Sequence, residues 1–297
     1  MNLRLDRFAS LYMVAPFLRL VSGRKPSVPI LMYHSITNAD ESNAHAYYRT
    51  MTSQAVFASQ MKYLHENGFK TCSPAQAIQQ LQTQTAAKLV VITFDDGYRD
   101  FYRYAFPILN QYSYSATVYL PTAYIGEAPL RFKKTDCLTW AEVRELSQHG
   151  ILFGSHTVTH PQLRELSHVA VNEELANSKN AIEEKLGCAV DSFAYPYAFP
   201  QADSDFTSML RDSLSRAGYQ NGVCTIVGRA NRKSEPLFME RLPVNSYDDS
   251  ALFSAKLAGA YDWVATPQYV SKMVHARLRS PFGGAKLSVS KHFHSVQ

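Results

Sequence analysis

The sequence has little that would tie it to a membrane span, a disulfide scaffold or a nucleic acid. Its 297 residues include four cysteines, Cys72, Cys137, Cys188 and Cys224, far apart and without a CxxC pair. That spacing argues against a disulfide framework and for a reducing compartment. No apolar run approaches the roughly 20 residues that cross a bilayer. Charged residues are only 19% of the chain, and they are not interleaved with aromatics as in RNA-binding modules. No internal repeat or low-complexity tract is visible. What is there is an ordinary globular composition, 46% hydrophobic, with enough chain for one large α/β domain or two small ones. The 12% of aromatics suits a sugar-handling cleft as well as an aromatic-rich core. The net charge of +5 gathers near the two ends, which suits an anionic surface better than a nucleic-acid groove.

The first 27 residues form a segment of their own. Arg4 and Arg7 precede an apolar stretch broken by Pro16 and Arg19. Leu11, Ala15 and Leu18 share a helical face, with Phe8 alongside. Three readings stay open: a helix on a membrane surface, an ordinary packing helix, or a signal or anchor, with "VSG" at 21–23 as a weak cleavage candidate.

From residue 28 apolar, β-rich runs alternate with helical patterns. Strands are expected at 28–34, 90–94, 115–120, 151–156, 192–197, 222–227 and 237–244. Helical spacing of Phe57, Met61 and Leu64 marks a helix ending at Gly68. Ser73 and Pro74 start another. Thr139 and Glu142 form a capping box on a helix ending at Gly150. A long polar helix ends near Gly187, and another near Gly218. Seven strands alternating with helices imply a parallel sheet, closed or open, with reactive residues at the C-terminal strand ends. Those ends carry His34, Asp95, Asp96, His156, Tyr197 and Arg241. Past residue 250 comes a helical stretch and then a basic tail.

"VVITFDDG" puts two neighbouring carboxylates at the end of a buried strand, which is costly unless a cation faces them. "SHTVTH" supplies His156 and His160, four apart. On one helical turn they would point the same way, and two imidazoles with one carboxylate make a three-ligand metal site. Thr157 is placed to hold the loop.

"TFDDG" followed by "HTVTH" resembles the polysaccharide deacetylases, the NodB-homology enzymes. "LMYHSI", "LPTAYIG", "GSHTVTHP", "FAYPY" and "ERLPV" resemble the branch tied to exopolysaccharide synthesis and poly-N-acetylglucosamine deacetylation. The likeness spans roughly residues 28–245. It implies a distorted (β/α) barrel of about seven parallel strands and a divalent metal, usually zinc, with cobalt, nickel or manganese as alternatives. The implied reaction is hydrolysis of an N-acetyl, sometimes O-acetyl, group on a sugar. By position, Asp95 resembles the general base, and Asp96, His156 and His160 the metal ligands. Tyr197 resembles the residue whose backbone amide binds the oxyanion.

Two features depart from the family pattern. The arginine that usually orients the base, two residues before the proline of the third motif, is here Ala194. Arg241 could supply that cation. The late motif carrying the general acid is also missing, and His275, His292 and His294 lie in the basic C-terminal segment. His34 is the better candidate for the acid. An inactive sugar-binding relative, or a hydrolase of a small N-acyl compound, are the alternatives. The expected organisation is an N-terminal segment 1–27, a deacetylase domain 28–250 and a basic extension 251–297. Because secreted glycan deacetylases normally carry a signal or anchor, the resemblance implies a cytoplasmic or inner-membrane-face enzyme. Its substrate would be an N-acetylated glycan or lipid-linked saccharide, with a peripheral membrane contact as a further expectation.

Overall fold

The structure, a computed structural model, describes residues 4–20, 26–38, 49–83 and 88–279. The stretch at 21–23, Lys286, His292 and His294, and the side chains of His275, Arg277 and Arg279 lie outside the described residues.

Seven strands close into a barrel: β1 (Ile30–Tyr33), β2 (Leu89–Phe94), β3 (Thr117–Leu120), β4 (Leu152–Ser155), β5 (Ser192–Ala194), β6 (Asn221–Val227) and β7 (Met239–Pro243). Each pairs in parallel with its neighbour in sequence, and β7 pairs with β1 to complete the ring. The short strand Lys70–Thr71 adds to the first half of β2. All seven expected strands are present. Five are shorter than expected by two or three residues, β5 losing three at its end, where Pro196 and Tyr197 follow, while β2 and β6 each start one residue earlier. Tyr197 stands at φ +59°, a conformation that no strand contains.

The strands look continuously apolar in sequence because both of their faces are covered. Alternate residues divide between two cores. Leu31, Tyr33, Ile92, Phe94, Val118, Leu120, Phe193, Cys224 and Leu242 join the large outer core under the helices. Ile30, Val91, Tyr119, Ala194, Val223 and Met239 form a smaller inner one within the barrel. Each fully buried large apolar side chain contributes about 1.5–3 kcal/mol. Tyr119 fits inside because β4 carries Gly154 at the facing position. A Cβ there would stand 2.5 Å from the tyrosine ring.

The helices follow their sequence signals. Ser53 caps Gln54–Glu66, whose Phe57, Met61 and Leu64 are buried. The capping box of Thr139 and Glu142 is formed, and Gly187 ends His168–Leu186 in the left-handed conformation. Two stretches widen into π-helix, Ala9–Val14 and Phe101–Ala105. Each is followed within two residues by a proline, Pro16 and Pro107. A proline ring collides with the carbonyl four residues back, and a wider turn relieves that collision.

The N-terminal helical segment runs through Leu5–Phe8, Ala9–Val14 and Ala15–Leu20. Leu11, Ala15 and Leu18 are half-buried, as their shared face suggests, but Phe8 points outward. The segment lies on the chain's other end: Trp263 donates to Ser10 and Tyr261 to Asp6. Among the described residues no helix is long and apolar enough to cross a membrane.

Candidate active site and metal centre

His34, Asp95 and His156 are each the first residue after a barrel strand, on β1, β2 and β4. The register brings these ends together, with Tyr33 opposite Phe94 and Ser155 opposite Leu120. His34, Asp95, Asp96, His156, His160 and Tyr197 line one cavity of about 410 Å³ at the barrel mouth. That is the size of a small-ligand pocket. Every one of the six residues expected at the mouth on its own strand end is therefore there except Arg241, which lies beneath the floor.

Arg241 is 1% exposed and points into the barrel from β7. Its Nη1 and Nη2 donate to Asp95 Oδ1 and Oδ2, both at 2.7 Å. Nε donates to the Cys224 carbonyl, and Nη1 also reaches Thr93 Oγ1. Ala194, where the resemblance would have an arginine, leaves the cation to be delivered from β7. Burial pushes the Asp95 carboxyl up, but the Arg241 guanidinium and His156 more than offset it and keep Asp95 below the usual carboxylate range. Asp95 is thus ionised and held in one orientation, with its charge-assisted pair fully buried.

Asp96 faces the two histidines. Its Oδ1 lies 3.2 Å from His160 Nε2 and 3.5 Å from His156 Nε2. The three ligand atoms lie within 4.8 Å of one another, and all three residues are buried. Asp96 Oδ1 has no hydrogen-bond partner although it is buried. A buried carboxylate oxygen without a donor is costly, and a cation shared with the two imidazoles would satisfy it. The donor set of one carboxylate and two imidazoles fits a divalent ion with open positions for water. His156 Nδ1 donates to the Ala194 carbonyl at 2.8 Å, which fixes the tautomer and leaves Nε2 as the ligand. Burial pushes His160 down to about 4 despite Asp96, so it is neutral and able to ligate at neutral pH.

The histidines do not sit on a helical turn, as their spacing suggests. Residues 156–160 form a loop with Thr157 at φ +70° and His160 at φ +56°. The loop is tied at several points. Thr157 Oγ1 accepts from the His160 amide, and the carboxylate of Glu174 accepts from the amides of Val158 and Thr159. Five of the seven non-glycine residues with positive φ among the described residues belong to the site: Asp96, Lys133, Thr157, His160 and Tyr197. Each such residue costs about 1–2 kcal/mol, which the surrounding hydrogen bonds must offset. Glu174 was invisible in the sequence because it acts from a helix 14 residues downstream of His160.

His34 Nε2 is 3.9 Å from Asp95 Oδ2. Burial lowers its pKa, while Asp95 and Asp96 pull it back up. The Tyr197 ring packs against His160, centroids 4.5 Å apart, and the Tyr197 carbonyl accepts from Thr225. Its amide faces no protein acceptor among the described residues. The hairpin Arg131–Phe132/Thr135–Asp136 adds a group that sequence reasoning missed. Lys133, at its tip, places its ammonium 3.7 Å from Asp96 Oδ2 and over the Phe132 and Tyr197 rings. The only signal was a pair of lysines between two short polar stretches.

The comparisons agree with this geometry. A family model described as polysaccharide deacetylase matches residues 82–222. YxkH of Bacillus subtilis (strain 168), whose name places it among the polysaccharide deacetylases, is 30% identical over 238 residues, covering 79% of this chain and 78% of that protein. The poly-beta-1,6-N-acetyl-D-glucosamine N-deacetylase of Staphylococcus aureus (strain MSSA476) is 25% identical over 199 residues, 61% of this chain and 68% of its own. Among solved structures, the Streptococcus pyogenes deacetylase PplD in complex with acetate is 27% identical, with a TM-score of 0.69, and covers 79% of this chain and 99% of that one. IcaB from Ammonifex degensii shares the fold, with a TM-score of 0.66 at 24% identity, over 79% of this chain and 98% of its own.

Proposed function

We propose, since this chain belongs to the polysaccharide deacetylase family, that it is a metal-dependent hydrolase removing N-acetyl groups from a glycan during exopolysaccharide or cell-surface glycan synthesis. The observation that carries this reading is the buried trio of Asp96, His156 and His160 around a carboxylate oxygen without a donor, beside an ionised Asp95 in the same cavity. When bound, a divalent metal held by that trio would supply Lewis-acid polarisation of the acetyl carbonyl and of the attacking water. Asp95, oriented by Arg241, takes the proton from that water. The Tyr197 amide binds the developing oxyanion. His34 protonates the leaving nitrogen.

The likeness to a poly-N-acetylglucosamine N-deacetylase supports an N-acetylglucosamine-containing polymer or its lipid-linked precursor as substrate. Four cysteines without a disulfide support a reducing compartment, and the cytoplasmic face of the membrane is the place we propose. Acetate release across a panel of glycans, with and without chelator, tests the reading; full activity after chelation would sink it.

The metal assignment has a test that does not need turnover. Purified wild-type protein is expected to retain a divalent ion, and His156→Ala to lose it, as measured by elemental analysis. Equal metal in both proteins would remove the trio as the site.

The acid is tested by substrate choice. An amide nitrogen cannot leave as an anion, whereas an activated ester's leaving group needs no proton. His34→Ala is therefore expected to lose about 10²–10⁴-fold on N-acetyl substrates and much less on an acetyl ester. Equal losses on both would make His34 a binding residue.

A further inference from the structure

The N-terminal helical segment carries apolar side chains on its outer face as well as its inner one. Its polar groups face the protein: Ser10 is fully buried under Trp263, and Asp6 accepts from Tyr261 and Arg4. Leu11, Val14 and Leu18 are half-buried beside them, while six other large side chains face outward. Leu5, Phe8, Tyr12, Met13, Phe17 and Leu20 are 56–83% exposed, along a segment roughly 24 Å long. A stripe of that size on a soluble protein marks an interaction surface.

Charge indicates what covers it. Residues 1–25 hold five cations and one anion, and residues 265–297 hold five cations and no anion. The body between them therefore carries a net −4 within a chain of +5. The start of the C-terminal helix lies by this segment, because Trp263, bonded to Ser10, stands two residues before Ala265–Arg279. Arg4 and Arg7 are engaged by Asp6 and Asp249, so the charge available to a partner comes from Arg19 and from the flanking sequence. The same end of the molecule holds the cavity. The Tyr247 carbonyl takes a hydrogen bond from Arg4 and its hydroxyl one from Arg49, and Arg49 lines the cavity at the barrel mouth.

We propose that the outward stripe of Leu5, Phe8, Tyr12, Met13, Phe17 and Leu20 is a lipid-surface contact that lays the open end of the barrel beside an anionic bilayer. Aromatic and aliphatic side chains on one face, next to concentrated positive charge, are the pattern that holds a helix in the plane of such an interface. A second protein chain would need a complementary apolar face, and the basic ends of a second copy would repel it. This inference does not depend on the deacetylase reading.

The test is flotation of the full chain with vesicles of phosphatidylglycerol and phosphatidylethanolamine in equal parts, at low and high salt, against pure phosphatidylcholine. Wild-type protein is expected to float with the anionic vesicles, less at high salt and weakly with phosphatidylcholine. A triple variant, Phe8→Ser, Tyr12→Ser and Phe17→Ser, is expected to partition at least about tenfold less. Its melting temperature should be unchanged, because the replaced side chains are exposed. Wild-type protein that stays unbound, or a variant that floats as well, overturns the proposal. So does a wild-type dimer that the variant turns into a monomer in sedimentation, which would assign the stripe to a second copy.

Discussion

Asp95→Asn is expected to keep the bound metal and, at a cost in stability because buried Arg241 loses its charged partner, the overall fold, but to lose about 10²–10⁴-fold in acetate release. The asparagine is nearly isosteric and leaves Asp96, His156 and His160 untouched, so the divalent ion has its full donor set. It cannot accept a proton from water, and that is the function asked of Asp95. The measurement pairs turnover with metal content. If Asp95→Asn lost the metal while Asp96→Asn kept it, the roles of the two carboxylates would be exchanged. The geometry favours the present order, because both Asp95 oxygens are taken by Arg241 whereas Asp96 Oδ1 is left without a donor.

Arg241→Met is expected to destabilise the protein by about 3–5 kcal/mol, since it strands the Asp95 carboxylate, 2% exposed, inside the barrel. The pH dependence separates this cause from lost packing. In the wild type, Asp95 titrates lower in the folded chain than in the unfolded one. Its contribution is therefore complete above about pH 4, the unfolded value, and fades as the pH falls through the folded one. Without the arginine, burial dominates and the folded carboxyl titrates above its unfolded value. The variant's deficit is then greatest near neutrality and shrinks as acid protonates the stranded group. Denaturant unfolding from pH 7 down to about pH 4 checks this. A deficit that does not change with pH would mean that Arg241 serves only to fill the barrel. The double variant Asp95→Leu with Arg241→Met is expected to recover most of the stability, because a buried pair replaced by apolar groups of similar volume is often neutral.

The sequence by itself determined the seven strands, their parallel order and the helices between them. Those rest on local signals: β-branched runs, helical spacing, the cap at Ser53, the box at Thr139 and the stop at Gly187. It also determined which residue types stand at the strand ends, since the end of a strand is a local fact. Sequential neighbours in a closed parallel ring then share one mouth, and His34, Asp95, Asp96, His156 and Tyr197 meet there. Only the tertiary structure decided the rest. The spacing of His156 and His160 suggested a helical turn, but bonds to residues farther along the chain, at Glu174 and Thr122, help hold those residues in a loop with positive φ at Thr157 and His160. The cation for Asp95 could be narrowed to Arg241 in sequence, but its two-pronged bond depends on the register of β7 against its neighbours, which places Arg241 inside the barrel. Lys133 reaches Asp96 because of a hairpin whose residues carry no catalytic signature. The outward turn of the N-terminal helix came from Asp6 and Ser10 finding partners at Tyr261 and Trp263. No pattern within the helix could reveal that, because which face is buried depends on what the rest of the chain offers to bond.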